Sequence, residues 1–250
     1  INDVTVRPEI GTIFGGSNGM YYYNNGNVYD FTDHSKLVGP GDRALCDSAE
    51  VRVYGGSITG NIYGGGLAGN GSDTYLEIGD NTDKAPLVDG TIFGAGCGNF
   101  DAINDCGVSH LGNISGLSIT DVRRLDPSSK SNEIYGGGHA GDVHNTQLTI
   151  YSSVQKKFNT IYGGGNMAQV TGNTFVNIHH GNIIGNVFGG GKGLTSSESG
   201  TETSYGKVTG NTHVLFFNTT KNNNIIGNIY GGGALGDVKG DTEVIIKAGS

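Results

Sequence analysis

The chain has 250 residues, a formal net charge of −8, 15% charged and 35% hydrophobic residues, 47 glycines and no tryptophan. Glycine far exceeds its usual ~7% share, but with 4 prolines and no every-third-residue period collagen is excluded. The acidic balance with scattered basic residues excludes a nucleic-acid footprint, no apolar run reaches the ~20 residues of a membrane-spanning helix, and the low charge argues against disorder.

The first recognisable element is Ile13-Phe14-Gly15-Gly16-Ser17. A polar stretch follows over about 20–49, with Tyr21-Tyr22-Tyr23 and Gly39-Pro40-Gly41-Asp42, and suits a surface loop. Ile62-Tyr63-Gly64-Gly65-Gly66 is an intact copy of the motif. The alternation in Leu76-Glu77-Ile78 then marks a strand with one buried face. Ile92-Phe93-Gly94-Ala95-Gly96 is a second worn copy, and residues 97–131 after it depart from the pattern. Intact triplets open again at Ile134, Ile161, Val187 and Ile229, with a polar insertion over 194–206.

A second pattern lies between the triplets. Thr171-Gly172-Asn173-Thr174-Phe175-Val176-Asn177-Ile178 has near copies starting at Thr209 and Lys239, and Leu148-Thr149-Ile150 keeps its alternation. The Gly-Asn or Gly-Asp pair before each strand is turn chemistry. The seven motif starts are separated by 49, 30, 42, 27, 26 and 42 residues, so the unit is near 26 and the longer spacings carry insertions. Residues Val51 to Tyr63 align with Val176 to Phe188 without a gap.

No stretch shows a sustained helical period with caps. A strand–corner–strand unit that buries its inner face only by stacking predicts an all-β fold. The expected architecture is a parallel β-solenoid (a right-handed β-helix) of about seven coils with loop insertions, in one repeat domain over residues 1–250. At a strand spacing of about 4.8 Å its core would be roughly 34 Å long.

Glycine in a strand costs about 0.5–1 kcal/mol relative to alanine, so three together need a steric reason. Either the triplets turn corners at positive φ, or backbones approach too closely for a Cβ. The first place (Gly64, Gly136, Gly163, Gly189 and Gly231 among its copies) is glycine in all seven, whereas the second becomes Ala95 once and the third Ser17 once. The adjoining aromatics Tyr63, Tyr135, Tyr162, Phe188 and Tyr230 form a column that faces either outward or inward. An aromatic ladder stiffening the sheet is the plain expectation. A platform for sugar rings is the sharper one.

Chemistry-bearing residues are sparse. Gly189-Gly190-Gly191-Lys192-Gly193-Leu194-Thr195 lacks the spacing of a phosphate-binding loop. Gly141-Asp142-Val143, Gly236-Asp237-Val238 and Asn70 suit corner-satisfying Asx turns better than a calcium ladder. His139 with His144, and His179-His180, lack the companions of a zinc site and read as surface residues. Cys97 and Cys106 bracket a short excursion that a disulfide could close, with Cys46 left over, but reduced core thiols fit equally. Should an enzyme exist here, Asp101, Asp105, Asp121 and Asp126, near Arg123-Arg124, are its best carboxylates, against a plain reading as loop charges. No catalytic residue, cofactor or metal is expected.

The repeated Ile-Tyr-Gly-Gly-Gly with Val-x-Gly-Asn-Thr-x-Val resembles the glycine-rich repeats of large adhesin-like surface proteins of gut bacteria, over about residues 50 to 248. That resemblance implies an exported, extracellular or cell-surface bacterial protein with a β-helical, non-enzymatic structural or adhesive role. Host or dietary glycans, or another surface protein, are the partners then expected, with no nucleic acid and no membrane insertion of this segment. A glycan-binding module and a polysaccharide lyase or glycoside hydrolase are the competing readings. The chain begins Ile1-Asn2-Asp3-Val4 without a basic start and ends on the strand Val244 to Ser250 with its next corner and triplet missing, so a fragment of a longer protein is expected. Its terminal coil would be an open edge prone to pairing.

Overall fold

A computed structural model describes residues 7–18, 23–24, 28–29, 45–80, 85–98, 111–151, 158–179, 185–194, 205–218 and 227–248. Among them every regular element is a β-strand. Two seven-stranded parallel sheets run the length of the fold. One stacks the long strands Leu45–Val53, Asn70–Ile78, Ile114–Val122, Val143–Ile150, Thr174–His179, Thr212–Asn218 and Thr242–Ala248. The other stacks the motif strands Ile13–Phe14, Ile62–Tyr63, Ile92–Phe93, Glu133–Tyr135, Thr160–Tyr162, Asn186–Phe188 and Ile229–Tyr230. Glu9–Ile10, Ser57–Ile58 and Leu87–Val88 make a third, three-stranded parallel sheet, and Tyr23–Asn24 pairs antiparallel with Val28–Tyr29. This is the stacked parallel architecture of a β-solenoid.

Neighbouring turns stack in register, apart from a slip after Ile114 in the long sheet. Ile92 pairs with Ile62 and Ile134, so like residues lie over like and the apolar alternation becomes continuous columns. Ile62, Ile92, Ile134, Ile161 and Val187 pack against Leu76, Ile78, Leu148, Ile150, Val176 and Ile178 in one core between the two large sheets. Within the stretch 97–131, expected to be irregular, Ile114–Val122 is instead a full strand of the long sheet. Ile114, Ser118, Thr120, Asp121 and Val122 are buried there, and the alternating row Ser118-Thr120-Val122 that faces the core is mostly hydroxyl-bearing, so the apolar alternation that would betray the strand is missing.

The triplets are explained by close approach. Positive φ among the described glycines occurs at Gly56, Gly79, Gly98, Gly112, Gly193 and Gly206, and at none of the triplets. A Cβ on Gly64, Gly136, Gly163 or Gly189 would instead fall well inside 3.0 Å of the first-glycine carbonyl oxygen of the following turn. At the second place it would meet the next turn's third glycine, 2.8 Å from its nitrogen in the case of Gly137. Ala95 shows the consequence. Its N–H reaches Gly137 O at 3.4 Å, whereas Gly137, Gly164 and Gly190 make the equivalent bond at 3.1 Å.

The same close approach lets hydroxyls bridge the turns. Thr74, Ser118, Thr146, Thr174 and Thr212 donate to the carbonyls of Gly94, Gly136, Gly163, Gly189 and Gly231, at 2.5 to 3.0 Å. All five hydroxyl residues are buried and four of the five bonds are too, where an unmatched acceptor costs about 1–3 kcal/mol. Thr174→Val, nearly isosteric, should therefore lower stability by about 1–2 kcal/mol, read as a lower urea midpoint at unchanged slope.

Corner residues form a second row. Asn145 Oδ1 accepts from Asn173 N–H, Asn173 Oδ1 from Asn211 N–H, and Asn211 Oδ1 from Asp241 N–H, each at 2.8 Å. Asn70, Asn113 and Asp142 do likewise for Asn113, Asp142 and Gln169. Asn70 and Asp142, where Asx turns are expected, thus accept bonds from the adjacent turn. The reason is geometric: the adjacent turn presents its N–H at the side-chain oxygen.

Candidate functional site

The aromatic column is real, and it is buried. Phe14, Tyr63, Phe93, Tyr135, Tyr162, Phe188 and Tyr230 stack with centroids 4.7 to 5.3 Å apart and planes within 12°. They lie on the side of the motif sheet away from the aliphatic core, and Tyr63, Phe93, Tyr135 and Tyr162 cluster with Cys97 under Leu67. Each interior ring has both faces covered by neighbours, so among the described rings only those at the two ends, Phe14 and Tyr230, keep a ring face uncovered by the column. Only Tyr230, at the end, is markedly open, at 44% exposure. Burial pushes the Tyr63 and Tyr135 phenols well above their ordinary value, and their hydroxyls bond to Asn61 and Glu133.

The first-place glycines line the seam beside this column, held by the contacts described above, and act as structure. His139 stands edge-on to Phe93 with centroids 5.4 Å apart, its Nδ1 accepting from Asn166 Nδ2 at 2.9 Å. Burial first, and the Lys192 cation second, push this imidazole down to about 4. Cys97 is a buried free thiol pushed up to about 12 by burial, and Cys46 is also a free thiol. Cys106, Asp101, Asp105 and His180 lie outside the described residues.

The remaining carboxylates are tied to cations or backbone. Asp126 accepts from Ser128 N–H and pairs with Arg7 at 2.7 Å, which hold it below the usual carboxylate range. Asp121 sits on the outward face of the long sheet in a cluster that the period-two reading of isolated strands could not assemble. Register sets it beside Glu77, and Arg123 bridges both, at 2.5 Å to Glu77 and 3.1 Å to Asp121. Tyr75 and Tyr151 each place a hydroxyl 3.4 Å from Asp121, and Tyr54 donates to Glu77 at 2.7 Å. Burial opposes the Arg123 charge, but hydrogen bonds to Tyr75 and Glu77 outweigh it and hold the guanidinium protonated more firmly than usual. Such a bridge ties both carboxylates to one guanidinium.

Further along the same face, His179 stacks between Tyr151 and Phe217, and His213 stacks on Phe175 while pairing with Glu243 at 3.0 Å. Lys192, in the nearest approach to a phosphate loop, pairs with Glu133. Among the described residues no group of three or more His, Cys, Asp or Glu side chains could hold a metal ion. Nor is any helix there long and apolar enough to cross a membrane.

A concavity on the long sheet, a cleft of about 440 Å³, is lined by Ser48, Glu50, Asp73, Tyr75, Leu117 and Ile119. It lies where the register slips between Ile114 and Leu117, and Asp73 Oδ1 accepts the Leu117 N–H there at 2.7 Å. An extra residue in one strand re-aims its neighbours and opens such gaps. No family model, curated protein or solved structure matches the chain.

Proposed function

We propose that this chain is a non-enzymatic structural, adhesin-like repeat domain of an exported protein at a bacterial cell surface. One observation carries the reading: the distinctive residues of the repeat are used between turns. Glycines admit the neighbouring backbone, hydroxyls and amides bridge to it, and aromatic rings cover one another. A surface built this way spaces or displays. Protease shaving of intact source cells, followed by detection of chain-derived peptides, tests it. Release of those peptides from unbroken cells is expected, and their retention until lysis would overturn the assignment.

The glycan-binding reading finds its best support in the cleft instead of the aromatic column. Glu50 and Asp73 supply acceptors for sugar hydroxyls, and Tyr75 supplies a ring beside them. A glycan array probed with wild type and Tyr75→Ala separates the two readings: signals lost with Tyr75 mark a glycan module, and an empty array leaves the structural role.

A further inference from the structure

We infer, resting on the glycan reading above, that the cleft over the strands Leu45–Val53, Asn70–Ile78 and Ile114–Val122 takes an amino sugar, held through a protonated amine that carries no acyl group.

The cleft is a departure from the repeat. Four residue steps from Ile114 to Ser118 stand against three from Gly71 to Thr74, and three from Ile114 to Leu117 stand against two from Val143 to Asn145. The strand Ile114–Val122 therefore carries one residue more than either neighbour here, and such a bulge re-aims the side chains beside it. Ala49, Thr74 and Ser118 are buried, and the residues that alternate with them line the opening. Register sets these in two rows, Ser48 with Asp73 and Leu117, and Glu50 with Tyr75 and Ile119. The volume, about 440 Å³, lies within the usual range of small-molecule sites.

Charge selects the ligand. Both charged lining residues, Glu50 and Asp73, are acidic. Arg52 pairs with Glu50 and Glu77, and Arg123 with Glu77 and Asp121, so four carboxylates are met by two guanidiniums. No cation pairs with Asp73 among the described residues. The excess of negative charge repels a uronate, is indifferent to a neutral sugar and attracts an ammonium.

Asp73 is also more than the stack requires. It stands in the row of Asn145, Asn173 and Asn211, and its Oδ1 accepts the Leu117 N–H at 2.7 Å as their amide oxygens accept from the next turn at 2.8 Å. An amide suffices for that bond, so the charge of Asp73 is left for the cleft. Leu117, Ile119 and the Tyr75 ring give apolar surface for the face of a sugar, and Glu50 and Asp73 accept from its ammonium and hydroxyls. A peptide is less well served. Asn70–Ile78 is paired on both sides, so a chain laid across it finds no strand edge.

Calorimetric titration slightly below neutral pH with a glucosamine tetrasaccharide, its N-acetylated counterpart and trilysine tests this. Wild type is expected to bind the glucosamine oligomer, less tightly as salt is added, and the acetylated one at least about tenfold more weakly. Glu50→Gln and Asp73→Asn, which keep shape, should melt as wild type does, weaken the glucosamine oligomer about tenfold each, and leave the acetylated one unchanged. Equal binding of both oligomers, lost together in Tyr75→Ala, would overturn the amine and keep the glycan reading. Silence from the glucosamine oligomer would overturn the inference, and the glycan reading falls with it only if the array is also empty. Undiminished binding by both charge variants would assign the attraction to the net charge of −8 and overturn the site. Trilysine bound as tightly, with the same dependence on Glu50 and Asp73, would overturn the sugar as occupant.

Discussion

Gly163→Val is expected to melt well below wild type. The added Cβ would collide with Gly189 O, and it would stand 2.7 Å from the Val176 side chain. Neither obstacle can move cheaply. Gly189 O receives the buried Thr174 hydroxyl at 2.6 Å, and Val176 is fully enclosed in the core. Relief therefore requires the turns to separate, which also stretches the bond from Gly163 N–H to Phe188 O, now 2.8 Å. Overpacking of this kind costs about 3 kcal/mol. For a chain of this size that corresponds to a fall of about 6–12 °C in melting temperature. Because the collision is steric, Gly163→Ala should show a smaller shift in the same direction. A thermal scan in which Gly163→Val matched wild type would remove the steric account of the triplets.

Acid should weaken the fold before its carboxylates titrate, and His139 is the reason. Its ordinary pKa of 6.5 falls to about 4 in the fold, where burial beside Phe93 disfavours the charged form and Lys192 adds repulsion. The unfolded chain then binds a proton that the folded chain does not. The His139 contribution is complete above pH 6.5 and is lost progressively as pH falls toward 4, by up to about 3 kcal/mol. Asp89, held low by Lys130, and Asp126, held low by the Ser128 N–H and Arg7, lose their contributions only below about their ordinary 3.8. The two windows are therefore separable. Urea midpoints from pH 7 to 4 should decline for wild type and stay nearly level for His139→Gln, and parallel declines would assign the acid sensitivity elsewhere.

The placement of His139 also shows how far the sequence could be read. Read with His144 after a glycine triplet, it is expected at the surface. Its partners Phe93 and Asn166 lie on other turns, 46 and 27 positions away, and no local pattern points to them. Glu77 is a similar case. It is visible as the outward member of Leu76-Glu77-Ile78, but its partners Tyr54 and Arg123 arrive through register with strands before and after it. Ile114–Val122 escaped notice because hydroxyl residues fill its buried row, and a period-two search counts apolar side chains.

Periodicity by itself determined the parallel strands, the repeating unit, the columns of like residues and the intolerance at the first glycine. Those features recur along the chain, and recurrence is information that a linear text holds. Only the folded stack decided why the glycines are required, which way the aromatic faces are covered, and that the corner side chains receive bonds from the next turn. Each of those depends on a neighbour one strand spacing away in space, about 4.8 Å, but at least one whole repeat away in sequence. The insertions make that second distance variable, so stacking alone reveals which residue meets which.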